Sequence, residues 1–333
     1  MAIRFALLSV LALSLSACAV PYQVPRAASG HPIITSGYFH LPDGADLPYR
    51  LYPAQGEVRA VVLALHGYTD SRDGFAMPAA VLNARGIAVY APDQSGFGAT
   101  ANRGHWPGTA TLVDEAREMA LRLRRRYPRQ KLFIMGESMG GAIGLLLGAS
   151  PDPPPVDGYI LSAPAVWGGA AMNPALRATL RIASLAAPSL RLTGQTAHVL
   201  ASDNIPALIA FGRDPLTLRA PEIGNIAGLV RLMGRAQDAC RRFDQPALIL
   251  YGGHDELIPP EAMRRCWLAL PRRPLAQGKI DPGNIILAFY PPDYHLIERD
   301  LERATPDADI VSFILTGATV SSAPSEATVF LAD

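Results

Sequence analysis

Short runs of apolar residues recur along the chain, each bounded by residues that favour turns. They are "AVVLALHG" (60–67), "GIAVYAPD" (86–93), "KLFIMG" (131–136), "GYILSAP" (158–164), "PALILYGG" (246–253) and "NIILAFYP" (284–291). Runs of this length, apolar on both faces and mostly separated by stretches of helical spacing, predict the strands of a parallel sheet covered on both sides. The fold class is therefore α/β, a mostly parallel, doubly wound sheet. Ahead of the series, two short strands between Ser36 and Pro53 flank Asp43-Gly44, a dipeptide suited to a hairpin turn.

One interval breaks the alternation. Between Pro164 and Gln245 no strand-like run occurs, only "ALRATLRIASLAAPSL" and "IAGLVRLMGRAQDACRR", which are helical in pattern and punctuated by proline and glycine. The pattern predicts a helical cap, residues 164–245, inserted into a sheet domain made of 36–163 and 246–315. The last residues, 316–333, lack periodicity and read as a flexible tail. The chain shows no internal repeats.

The N-terminus carries a different signal. "MAIRFALLSVLALSLSAC" has a basic residue at Arg4, an apolar stretch from Phe5 to Leu15 and then small residues. This is the order of a signal peptide, residues 1–17, and the apolar stretch is too short to span a bilayer. Leu15, Ser16, Ala17 and Cys18 resemble the lipobox of bacterial lipoproteins, which implies a lipid on Cys18 and attachment to a membrane surface. Ala19, standing where that resemblance associates aspartate with inner-membrane retention, points to the outer membrane. Residues 18–35, with three prolines, then form a tether.

Composition narrows the function classes. Lys and Arg number 30 against 29 Asp and Glu, a net charge of +1, which leaves no electrostatic footprint for nucleic acid. The arginine-dense "LRLRRRYPRQK" (121–131) belongs with Leu112, Met119 and Leu123 at helical spacing, so it reads as the solvated end of a helix. With 49% apolar residues the chain can bury a sizeable core. Apart from Cys18 there are two cysteines, Cys240 and Cys266, which in an exported chain either pair or remain two buried thiols. No Cys/His cluster has metal-ligand spacing, and no cofactor motif is present.

Candidate chemistry centres on "KLFIMGESMGGAIGLLLG" (131–148), where a strand-like run gives way to a helical one at Ser138, with Gly136 and Gly140 two residues away on either side. A serine at a turn is common, but G-x-S-x-G between a strand and a helix is also the signature of a nucleophile elbow. That reading requires a base, an acid and an oxyanion hole. In a doubly wound sheet functional groups collect beyond the carboxyl ends of the strands. Three further positions lie there: His66-Gly67 after the first run, Asp255 after "PALILYGGH", and His295 after "NIILAFYPPDY". Serine, acid and histidine thus follow in the chain order of an α/β-hydrolase triad.

Over residues 36 to 315 the sequence resembles the serine α/β-hydrolases, and within them the monoacylglycerol lipase and lysophospholipase group. The elements that carry the resemblance are "LHGYTDS", "PDQSGFGAT", "GESMGG", "SAPA", "FGRDPL", "PALILYGGHDELIPP" and "YHLIERD". The resemblance implies Ser138 as nucleophile, His295 as base and Asp255 as the acid that orients it. The backbone N–H groups of Met139 and Tyr68 would hold the oxyanion, with His66, Gly67, Gly136 and Gly140 supporting the two turns. It implies no cofactor, and a small lipid or ester as substrate.

Other residues compete for these roles. His66 precedes the serine, and the resemblance makes it a loop residue; Asp293 stands in a turn sequence, and His254 and Glu256 flank Asp255. Glu137 would need a second carboxylate partner for sugar chemistry, and Asp93 is structural beneath the "GFG" turn in the resembling motif. Among enzymes the alternative reading is an aminopeptidase of the proline-iminopeptidase type, which requires an acidic pocket for a free amino terminus. A dehalogenase or epoxide hydrolase requires aspartate where Ser138 stands. A lipid-binding lipoprotein without catalysis would be expected to have a broken triad, and here all three residue types are present.

Overall fold

In the computed structural model the described residues are 35–168, 172–192, 199–271, 273–274, 280–281 and 285–332. The expected leader, Cys18 and nearly all of the tether lie outside them. The main sheet has eight strands: β1 (Thr35–His40), β2 (Asp46–Tyr52), β3 (Ala60–Leu65), β4 (Ile87–Pro92), β5 (Lys131–Glu137), β6 (Gly158–Ser162), β7 (Ala247–Gly252) and β10 (Ile285–Tyr290). They lie in the order β1-β2-β4-β3-β5-β6-β7-β10. β4 through β10 run parallel, and β2 joins β4 antiparallel. A separate short pair, β8 (Arg273–Pro274) and β9 (Ile280–Asp281), pairs antiparallel.

The central strands are buried on both faces, as their unbroken apolar runs require. Side chains alternate between two cores because successive residues of a strand point to opposite sides. Val61, Leu63, Ile134, Leu161 and Ile249 pack with α2 (Thr109–Arg126), α3 (Met139–Gly148), α6 (Ile223–Ala239) and α7 (Pro260–Ala269). Val62, Ala64, Met135, Ile160 and Leu250 pack with α1 (Ala76–Asn83) and α8 (Ala304–Thr316).

Among the described residues the interval between β6 and β7 holds three α-helices, α4 (Pro174–Ala186), α5 (Ile205–Arg213) and α6. Asn173 caps α4 through its side chain, accepting from the N–H groups of Ala175 and Leu176, and Asn204 caps α5 by accepting from Ala207. α6 is the half of the cap that joins the core, burying Leu232, Met233 and Ala236. α4 and α5 have no fully buried residue. Cys240, after α6, is bonded to Cys266 on α7, with an S–S distance of 1.99 Å. The choice left open by the sequence resolves as a disulfide that ties the end of the cap to the sheet domain.

The C-terminal residues correct the expectation of a loose tail. Gly317 ends α8 in a left-handed conformation (φ 84°), and Asp309 accepts from the N–H groups of Val320 and Ser321, turning the chain back. A further helix, α9 (Ala323–Ala332), then packs on the sheet edge beside β10. Its Phe330 ring stacks on Phe289 at 4.7 Å between centroids, meets Trp267 edge-on at 5.4 Å and lies beneath the Arg264 guanidinium at 4.5 Å. A short helix with one large anchor shows weak periodicity, so the pattern hid it. Phe330→Ala is expected to cost about 3 kcal/mol of stability, the usual scale for emptying a buried aromatic site. Urea unfolding measures this, and an unchanged midpoint would mean that α9 contributes nothing to the fold.

Candidate active site

The turn at Ser138 is built by the absence of side chains around it. A Cβ on Gly140 would overlap the carbonyl oxygen of Leu65 at the end of β3, and one on Gly136 would overlap the backbone of Gly140. Only glycine allows β3, β5 and α3 to approach so closely. Ser138 itself has φ 53° and ψ −109°, a region that costs a non-glycine residue of order 1–3 kcal/mol. The surroundings hold it there. Its N–H donates to Ser162 O at 2.9 Å, and its carbonyl accepts from Ala142 and Ala165, both at 2.9 Å. Ser138 is the one half-exposed residue between the buried Glu137 and Met139.

Asp255 and His295 come from the loops after β7 and β10, which are parallel neighbours in the sheet. Backbone bonds join the two loops: Gly253 N–H donates to Tyr290 O and His254 N–H to Asp293 O, both at 2.9 Å. His295 Nδ1 donates to Asp255 Oδ2 at 2.8 Å, while Asp255 Oδ1 accepts from the N–H groups of Leu257 and Ile258. These bonds fix the carboxylate, and the carboxylate fixes the imidazole tautomer. A neutral His295 therefore carries its lone pair on Nε2. Burial pulls the His295 pKa down, but the Asp255 carboxylate, with help from Glu137 and Glu298, outweighs it and leaves the pKa above the ordinary histidine value.

Ser138 and His295 line one cavity of about 490 Å³ together with Gly67, Tyr68, Trp167 and Met233. Tyr68 lies in the loop after β3. Met139 is the first residue of α3, so its N–H has no acceptor within the helix. Gly67 is close-packed beneath, since a Cβ there would stand 3.1 Å from Glu137 Oε1 and 3.5 Å from Ser138 Cβ. His66 is fully buried, and both its nitrogens are occupied: Nδ1 donates to Gly67 O at 2.8 Å and Nε2 accepts from Gln94 N–H at 3.1 Å. Burial lowers its pKa, so it is a neutral strut of the loop.

The other competing residues are engaged elsewhere. His254 is exposed and stacks on Tyr294, and Glu256 accepts from Leu200 N–H at 2.7 Å. Asp293 is buried among carboxylates and pushed up to about 7, first by desolvation and then by Asp300. Asp93 accepts from the N–H groups of Arg72 and Ala99, and a Cβ on Gly98 would overlap its carboxylate, so the "GFG" turn wraps around it. Among the described residues no group of three or more His, Cys, Asp or Glu could hold a metal ion.

Sequence reasoning missed one buried feature of the site. Arg299 Nη2 donates to Asp70 and to both oxygens of Glu137, at 2.9 and 3.0 Å for the latter. All three side chains are almost wholly enclosed. Each lies inside a quoted motif, "LHGYTDS", "GESMGG" or "YHLIERD", but nothing in a linear reading pairs them.

Comparison with known proteins agrees with this geometry. The family model described as Serine aminopeptidase, S33 matches residues 56–283. The chain is 26% identical to a monoacylglycerol lipase of Mycolicibacterium smegmatis over 280 residues, 82% of this chain and 94% of that one. It is 26% identical to the monoglyceride lipase of Mus musculus over 270 residues, covering 79% and 84%. Among solved structures, a soluble variant of the monoglyceride lipase of Saccharomyces cerevisiae shares the fold with a TM-score of 0.68 at 20% identity, over 90% of this chain and 99% of that one. A family match over more than half of the sequence, joined to this sheet and elbow, makes the chain a member of the serine aminopeptidase S33 family of α/β-hydrolases, and so a hydrolytic enzyme whose relatives are lipases.

Proposed function

We propose that the protein hydrolyses carboxylic esters carrying a single acyl chain, monoacylglycerols or lysophospholipids, through an acyl-enzyme on Ser138. The observation that carries this reading is the cavity. Its wall holds Ser138 and His295, and beyond the clasped Asp70 and Glu137 it is overwhelmingly apolar, with Trp167, Met172, Leu180, Leu229 and Met233. A volume of about 490 Å³ suits one acyl chain near the serine.

In the proposed reaction His295 Nε2 takes the Ser138 proton as Oγ attacks the ester carbonyl carbon, since a neutral hydroxyl is a weak nucleophile on its own. The negative charge that develops on the carbonyl oxygen is met by the N–H groups of Met139 and Tyr68, an arrangement in which a single donor is typically worth about 10²–10³ in rate. The imidazolium then protonates the leaving alcohol. Water, activated by the same histidine, attacks the acyl-enzyme and releases the fatty acid, with Asp255 holding the ring and countering its charge throughout.

The family description names an aminopeptidase, and such an enzyme must bind a free ammonium group. The two acids at the cavity wall, Asp70 and Glu137, are both taken by Arg299. The cap acids are also engaged away from the cavity: Asp203 accepts from Leu301 N–H, Asp214 from Ser71 Oγ and Leu216 N–H, and Asp238 from Arg241, while Glu222 lies beside Arg191 and His105. These pairings favour the ester reading.

The proposal extends to location. The leader-like residues 1–17 and Cys18 support export and a lipid anchor in the outer membrane. Among the described residues no helix is long and apolar enough to cross a membrane. The cap offers Ile182 and Leu185, 66% and 77% exposed, on a helix with no buried residue, which suits an enzyme that meets its substrate at a lipid surface.

Activity of residues 30 to 333 against p-nitrophenyl esters of increasing chain length tests the reading. Turnover is expected to rise toward medium or long chains, and Ser138→Ala to lower kcat by roughly 10⁴-fold or more. Silence on every ester combined with cleavage of a prolyl anilide would transfer the chain to the peptidases, and silence on both would leave a lipid-binding protein. The pH profile gives a second test. Only neutral His295 can act as base, and its raised pKa means that activity falls as pH drops through a value above the ordinary histidine range. Asp255→Asn removes the main charge that raises it, so the acid limb should move to lower pH while kcat falls by about 10⁴. An acid limb unmoved by that substitution would show that another group is titrating.

A further inference from the structure

The buried charges beneath the site belong to three separate segments of the catalytic apparatus. Asp70 lies two residues after Tyr68 in the oxyanion loop, Glu137 immediately before Ser138, and Arg299 four residues after His295. Arg299 Nη2 bridges the two carboxylates, and Asp70 Oδ1 also accepts from Ser71 N–H at 2.7 Å. The approach requires Gly74, where a Cβ would stand 2.5 Å from Asp70 Oδ2 and 2.6 Å from Arg299 Nη2. The cap reaches the same residue from the other side: Asn204 Nδ2 donates to Arg299 O at 2.8 Å, and the Phe211 ring lies 5.9 Å from the guanidinium carbon.

We propose that Arg299, Glu137 and Asp70 form a positioning clasp that sets the nucleophile turn, the oxyanion loop and the loop of the base at their working separations, with Glu137 acting as a second negative partner of His295 behind Asp255. The proposal rests on Ser138 and His295 being the reacting pair. Three loops at the ends of different strands have no covalent reason to stay in register, and a shift of about 1 Å between reacting groups can cost around 10²-fold in rate. A single guanidinium shared by two carboxylates supplies that register. Removing it would leave like charges facing each other in a buried site, so the clasp holds only when complete.

The titratable groups that act on His295 come from three elements: Asp255 after β7, Glu137 at the end of β5, and Glu298, pushed up to about 8 by burial, in the turn that follows His295. Glu137 in turn faces Arg299, Asp70 and His295. Burial raises the Glu137 carboxyl above the ordinary range and Arg299 only partly opposes the rise, while Arg299 is itself held charged by its two acids against the effect of burial. The two bonds from Arg299 favour the ionised form of Glu137, and in that form its charge adds to that of Asp255 in keeping the His295 pKa high. Removing that charge without removing the side chain lowers it.

The test uses Ser138 labelling by a fluorophosphonate, in which Oγ attacks phosphorus and fluoride leaves, so it reports the nucleophile whatever the natural substrate. Labelling rate is measured against pH for the wild type, Glu137→Gln, Arg299→Lys and Arg299→Met, alongside ester kcat and KM and the thermal midpoint. Glu137→Gln is expected to move the acid limb to lower pH and slow labelling about tenfold, with ester KM within about threefold. Arg299→Met should lose about 10²-fold, and Arg299→Lys, whose ammonium can bridge the two acids, should recover a clear part of that loss. If Arg299→Met does not fold, Glu137→Gln and Arg299→Lys decide. Wild-type rate and an unmoved acid limb in Glu137→Gln would overturn the clasp, as would lowered thermal midpoints in the variants without any change in rate or profile. No labelling of the wild type would instead fault the serine assignment on which the clasp depends.

Discussion

Everything at the site follows from one close approach, the meeting of Gly140 with the end of β3. With no Cβ on Gly140 or Gly136, α3 begins directly over Leu65, and the chain must pass through a strained conformation at the residue between them. That residue is Ser138. The strain is sustained because the sheet beneath is buried on both faces and the Ser138 backbone is bonded to β6 and the segment after it through Ser162 and Ala165. A larger residue at either glycine would separate strand from helix. The hydroxyl would then lose its place beside the oxyanion loop, and the Met139 N–H would point elsewhere.

The second layer of organisation is electrostatic. Parallel strands bring their carboxyl ends to one edge, so loops far apart in sequence crowd together with their polar groups. The structure resolves this crowding by pairing. Asp255 is committed to His295, Asp93 to the "GFG" turn and Arg72, and Asp70 and Glu137 to Arg299. What faces the cavity after these pairings is largely hydrocarbon. A cavity whose described lining is largely apolar, with Ser138 at its wall and Asp70 and Glu137 paired, is the basis for proposing an acyl chain rather than an ammonium group as its occupant.

Much of this was legible in the sequence because it is local. Six strands of the main sheet lie where apolar runs are closed by turn residues, the first two flank the Asp43-Gly44 turn, and the Gly136-Ser138-Gly140 spacing marks the elbow because a sharp turn needs small neighbours. The chain order of Ser138, Asp255 and His295 follows from the order of the strands. What escaped is contact across distance. Arg299 pairs with residues 162 and 229 positions away, and no spacing rule connects them. The helix α9 escaped for another reason, since its docking depends on Phe330 meeting Phe289 and Trp267 rather than on a repeated apolar face. The pairing of Cys240 with Cys266 likewise needed the placement of α6 against α7.

The central claim is that Ser138 carries the acyl group during turnover. The most direct measurement is mass spectrometry of the enzyme quenched in acid during hydrolysis of a medium-chain ester, followed by digestion and mapping of the modified peptide. The account predicts an added acyl mass on the peptide containing Ser138, formed and lost at rates that match turnover. Hydrolysis that proceeds with no acyl adduct on that peptide, or with the adduct on another residue, would contradict it.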